Sequence, residues 1–83
     1  MIDFELSKDE QKEFINLLIR KNKEEWMSAK IQAHVYELEA IKPKNISKAQ
    51  AEEGMGIYQK RMVYLAEIIY AIELYARNHD IKI

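Results

Sequence analysis

The apolar positions of this chain recur at helical spacing, but partway along they change sides. On a wheel at ~100° per residue, Phe14, Ile15, Leu18 and Ile19 fall on one face, while Met27, Ile31, Val35 and Leu38 fall on roughly the opposite one. Between them runs Arg20–Trp26, RKNKEEW, six polar residues closed by a tryptophan. A helix break there has a signal of its own, since Asn22-Lys23-Glu24-Glu25 fits an N-x-x-E capping box. The stretch lacks Gly and Pro, however, and Arg, Lys and Glu are good helix formers, so the pattern predicts one continuous helix. Trp26, Ala29, Ala33, Tyr36 and Ala40 then prolong the Phe14 face, leaving a small-plus-aromatic face opposite an aliphatic one. Two faces imply two sets of neighbours.

The ends of the helices are written locally. Ser7-Lys8-Asp9-Glu10 is an S-x-x-E capping box, with Asp9 and Glu10 at the positive end of the dipole. Ser47-Lys48-Ala49-Gln50 is a second, with Ile46 placed to staple against Ala51. Pro43 lacks a donor and disfavours helical geometry at Lys42, so the first helix is expected to stop near Ile41. The reading is a single domain over 1–83 with a helix at about 8–41, a turn at 42–46 and a helix at about 48–78. Asn78, His79 and Asp80 close the second helix, and Ile81-Lys82-Ile83 is read as a tail. Gly54 and Gly56 each cost ~1 kcal/mol against Ala in a helix interior, marking either a kink or a close approach by a bulky neighbour.

The second helix carries the same doubled pattern. Ile57, Met62, Leu65, Ile68, Ile69, Ile72 and Ala76 cover one broad face, and Val63, Tyr70 and Leu74 form a stripe on another. A lone hairpin of helices ~50 Å long cannot bury both. The expected fold is therefore all-α, an antiparallel hairpin of two long helices self-associating into a four-helix bundle or a larger ring. The alternative is a monomeric three-helix bundle broken near Arg20–Glu25.

Composition narrows this picture further. Eighty-three residues make a core of marginal size, and with no cysteine there is neither a disulfide framework nor a thiolate metal site. Thirteen Lys and Arg against 14 Asp and Glu give a net charge of -1, without the basic field that drives non-specific nucleic-acid binding. MIDFELSKDE has no apolar leader core, and Met62–Ala76 contains Glu67 and Glu73 and falls short of the ~20 residues of a membrane span. A cytoplasmic protein without a membrane segment is expected.

Candidate chemistry is sparse. Glu10-Gln11-Lys12-Glu13 is E-x-x-E, half of the acidic pattern of MazG-like pyrophosphohydrolases, but the E-x-x-D half that completes a Mg²⁺ cluster is absent. No phosphate loop, nucleophile elbow or H-E-x-x-H occurs. His34, three residues before Glu37, is read as a partly buried or interface residue, and His79 as a cation at a helix C-terminus. Glu73 stands four residues before Arg77 in the favourable order for an ion pair. No catalytic residue, metal site or cofactor is predicted.

The expectation is a non-enzymatic binding protein with Val63, Tyr70, Leu74, Trp26 and Tyr36 at interfaces, because Tyr and Trp supply apolar area with a polar tip. Arg20, Lys21, Lys60, Arg61, Tyr58 and Tyr64 are candidates for a small ligand, by stacking of a base on Tyr with cations on phosphate. The segment Leu65–Ile72, LAEIIYAI, followed by Arg77-Asn78-His79 resembles the helical hairpins of small phage proteins that oligomerise and sequester cyclic oligonucleotide signals. The likeness covers under half of the chain and carries over no site residue. It implies, as the alternative to a protein-binding adaptor or inhibitor, an oligomeric sponge holding a nucleotide between protomers. A weak nucleic-acid binder is the third reading.

Overall fold

The computed structural model describes residues 5–83, so the leader reading at Met1–Asp3 lies outside the described residues. Two helices, α1 (Lys8–Ile41) and α2 (Lys48–Asn78), form one antiparallel hairpin. α1 runs through Arg20–Trp26 without interruption, which rules out the three-helix alternative. RKNKEEW stays helical because the side of it that meets α2 is carried by Asn22 and Trp26, both half-buried. Asn22 Nδ2 donates to the Leu18 carbonyl at 2.8 Å, satisfying the polar group that this position brings to the contact.

Both capping boxes close as their spacing predicts. The Glu10 amide donates to Ser7 Oγ and the Ser7 amide to Glu10 Oε1, each at 3.1 Å. At α2 the Gln50 amide donates to Ser47 Oγ at 3.1 Å and the Ser47 amide to Gln50 Oε1 at 3.0 Å. In the turn between the helices, the Lys44 amide donates to Glu39 Oε2 at 3.2 Å.

The end of α2 departs from expectation. Asp80 takes a left-handed conformation, φ 55°, the Asp80 amide donates to the Arg77 carbonyl at 3.3 Å, and the Ile81 amide donates to the Ala76 carbonyl at 2.8 Å. That pair of bonds is a Schellman ending, whose hydrophobic partner lies just past the turn. Ile81 accordingly belongs to no free tail: it is buried with Ile15, Ile19 and Ala76. Lys8 Nζ donates to the His79 carbonyl at 3.3 Å, so both ends of the chain's helical part are tied at the same end of the hairpin.

The helix–helix contact is thin. Ile15, Ile19, Ala29, Ala33, Ala51, Leu65, Ala76 and Ile81 are buried, half of them alanine. Gly54 lies under the ring of Tyr36, where a Cβ would come within 2.7 Å of the ring carbons, while one at Gly56 would meet nothing within 4 Å. Close packing, and not a kink, explains Gly54, and α2 is continuous through both glycines. The molecule is correspondingly elongated, 53 × 27 × 17 Å with a radius of gyration of 17.9 Å, where ~12 Å is expected of a compact chain of this length. It exposes 6900 Å², against about 5,200 Å² for a compact chain of its mass.

Candidate functional site

Because two helices meet along one narrow strip, the rest of each apolar arc is left outside. Ile15 and Ile19 point at α2, but Phe14 and Leu18 sit ~100° round the helix from the residues that follow them. Phe14 is 54% exposed. Together with Ile68, Ala71, Ile72 and Tyr75 of α2, they edge an open groove of about 590 Å³ along one side of the hairpin, closed at its end by Leu6 and Gln11. Among the described residues nothing charged lines it.

The opposite side has a shallower depression of about 500 Å³ between Lys23, Trp26 and Met27 on α1 and Ala66 and Ile69 on α2. Lys30 Nζ stands 5.3 Å from the Trp26 ring centroid, a cation over its face. Two further stripes lie on the outer surfaces. Met27, Ile31, Val35 and Leu38 run exposed along the back of α1, and Val63, Tyr70 and Leu74 along the back of α2, with Tyr70 63% exposed.

The residues expected at interfaces thus divide. Val63, Tyr70 and Leu74 share one exposed stripe, Trp26 is half-buried at the edge of the second depression, and Tyr36 is taken up inside the hairpin. Its ring stacks on Tyr58 with centroids 5.8 Å apart and planes 24° from parallel. That contact occupies one face of the Tyr58 ring.

The basic candidates do not gather into one cradle. Arg20, on the back of α1, reaches Glu24 at 3.8 Å, and Arg61 crosses the hairpin to Glu25 at 3.4 Å. Lys21 is exposed on the groove side of α1, one turn beyond Leu18, and Lys60 is exposed towards the outer surface of α2. Tyr64 is exposed one turn from Arg61, on the side that carries the apolar groove. The expected Glu73–Arg77 pair is not among the ion pairs of the described residues, which join Arg20–Glu24, His34–Glu37 and Arg61–Glu25. His34 is exposed, not partly buried, because its position lies on the outer surface of α1; its Nδ1 is 3.5 Å from Glu37 Oε2. His79 stacks on Tyr75 at 4.1 Å between centroids.

Of the acidic residues, Glu10 has its pKa lowered from the ordinary value, chiefly by the bond from the Ser7 amide and then by the Ser7 hydroxyl. That marks a structural cap, so the E-x-x-E at Glu10–Glu13 contributes one carboxylate already engaged. Among the described residues no group of three or more His, Asp or Glu could hold a metal ion, and no helix is long and apolar enough to cross a membrane.

Sequence reasoning missed the groove beside Phe14, having placed Phe14, Ile15, Leu18 and Ile19 together on one face without separating the covered from the exposed. The signal was present in the width of the apolar arc, since Phe14, Ile15, Leu18 and Ile19 span more of the wheel than one neighbouring helix covers. Comparison of the chain with protein-family models, curated proteins and solved structures returned no match.

Proposed function

We propose that this chain is a non-enzymatic interaction protein that works as a helical homo-oligomer, its hairpins packing into a four-helix bundle or larger ring and presenting the remaining apolar stripes to a protein partner. One observation carries the reading: among the described residues fifteen large apolar side chains are exposed, against eight buried apolar residues, four of them alanine. Apolar surface of this extent is a mark of interaction sites on folded chains. The dispersal of Arg20, Lys21, Lys60 and Arg61, with Arg61 already engaged by Glu25, favours a protein partner over a nucleotide.

Sedimentation equilibrium at micromolar concentration tests it. A mass of two or more chains is expected, and a single-chain mass for the folded protein overturns the reading.

A further inference from the structure

We propose that a second copy of this chain docks on the side groove lined by Leu6, Phe14, Leu18, Ile68, Ile72 and Tyr75, about a two-fold axis that overlaps the terminal halves of the two hairpins and leaves their turns pointing apart. The inference rests on the self-association reading above and adds to it the face that pairs and the face that stays free.

Three observations select this face. A two-fold contact is self-complementary, so one patch must offer both a ridge and a hollow. Here the exposed Phe14 and Tyr75 rings stand beside an open apolar hollow on the same side.

Charge is the second. A two-fold contact brings each surface against its own image, and like charges placed opposite one another are costly. Among the described residues the groove has no charged lining residue, whereas the opposite depression contains Lys23 and the outer stripe of α1 runs among Arg20, Glu24, His34 and Glu37. On the groove side itself Glu10 and Lys21, of opposite sign, flank the lining one turn from Phe14 and Leu18, and the Glu25–Arg61 pair lies further towards the turn. Overlap of the terminal halves keeps that pair in water.

Area is the third. A stable pair needs about 800 Å² from each partner. The exposed 6900 Å² exceeds that of a compact chain of this mass by about 1,700 Å², so the molecule as a whole has surface to spare for one such contact. The outer stripes, Met27 to Leu38 and Val63 to Leu74, then remain on the outside of a four-helix bundle.

The test is the solution mass of Phe14→Glu beside two controls, Ile31→Glu and Val63→Glu, with helicity monitored by circular dichroism. Phe14→Glu is expected to sediment as a single helical chain while both controls keep the wild-type mass. If Phe14→Glu keeps that mass, or if either control also loses it, this face assignment is overturned while the self-association reading stands. A single-chain wild type overturns both; if that monomer also sediments with phosphatidylcholine vesicles, a lipid surface and not a second copy occupies the groove.

Should Phe14→Glu lose helicity, single-cysteine chains decide the matter, since the natural sequence has no cysteine. Oxidised Phe14→Cys, at the exposed edge of the groove, is expected to run as a linked dimer and Val63→Cys as a monomer. No linked dimer from Phe14→Cys overturns the proposal.

Discussion

The two halves of the hairpin hold their helices together by different means. Towards the termini, Ile15 and Ile19 of α1 close on Ala76 and Ile81, with Ile69 and Ile72 packed against them. Towards the turn, the buried positions are Ala29, Ala33 and Ala51, and the bulk comes from Tyr36 lying over Gly54 and against Tyr58. Aliphatic side chains at the open end give area and tolerate adjustment. Small residues at the turn end bring the backbones close and leave one ring in a slot without slack. The terminal half also carries the uncharged groove, so the part of the molecule with the larger core is the part with the larger unmet apolar surface.

The largest effect that separates the halves is loss of bulk. Ile15→Ala removes a side chain from the one aliphatic cluster and is expected to cost about 3 kcal/mol, read as a shifted urea midpoint at fixed protein concentration. Leu65, 2% exposed near the boundary between the halves, is expected to cost as much on truncation. Among the described residues the turn half has no aliphatic side chain larger than alanine as buried as these, so a comparable loss from Ile46→Ala would break the comparison.

The second contrast adds bulk where it is not tolerated. Gly54→Ala gains ~1 kcal/mol of helix propensity but sets a methyl 2.7 Å from the Tyr36 ring, and overpacking of that kind costs about 1–3 kcal/mol. A net loss of about 1 kcal/mol is expected. Gly56→Ala, with open space around it, gains close to the full ~1 kcal/mol. Repeating Gly54→Ala in a Tyr36→Ala background is expected to reverse its sign, because the double change removes the ring that the methyl meets. Equal behaviour of the two glycines in thermal melts would remove the close-packed slot from the picture.

These cases also show how far the sequence carried. Both helix starts were legible because a capping box is a four-residue device, complete in Ser7–Glu10 and again in Ser47–Gln50. Continuity through RKNKEEW followed from propensity, again a local quantity. What was not legible depends on the partner helix. Gly54 and Gly56 look alike until Tyr36 is placed over one of them. Arg61 has no acid three or four residues away on its own helix, and only the antiparallel register brings it Glu25. Phe14 and Ile15 are adjacent apolar residues, and the narrow contact of one helix on one other decides that Ile15 is covered and Phe14 is not.

A third test addresses the ending that brings Ile81 into the terminal core. Asp80 holds φ 55°, a region where an L side chain is strained and glycine is not. Asp80→Gly is expected to raise stability by about 0.5 kcal/mol, visible as a small rise in the thermal midpoint. A fall in stability would mean that the Asp80 side chain contributes more than its backbone strain costs.

The smallest effect distinguishes the two caps, one at each end of the hairpin. At the open end the box uses a carboxylate, Glu10, and at the turn it uses an amide, Gln50. Only the first can titrate. Glu10 has its folded-state pKa lowered by the Ser7 amide and hydroxyl, so its contribution is fully present above the pKa it has in the unfolded chain and is lost as pH falls through the lower, folded value. Stability should therefore decline on acidification through and below the ordinary glutamate range, by a part that Glu10→Gln abolishes while retaining an acceptor for the Ser7 amide. Gln50→Glu makes the converse change, adding to the turn end an acid-sensitive contribution of the same sign. Each is read from the difference between urea midpoints at pH 7 and pH 3. An unchanged pH dependence in Glu10→Gln would show that the Ser7 bonds do not discriminate between the charged and neutral side chain, and the two ends of the hairpin would then be capped alike.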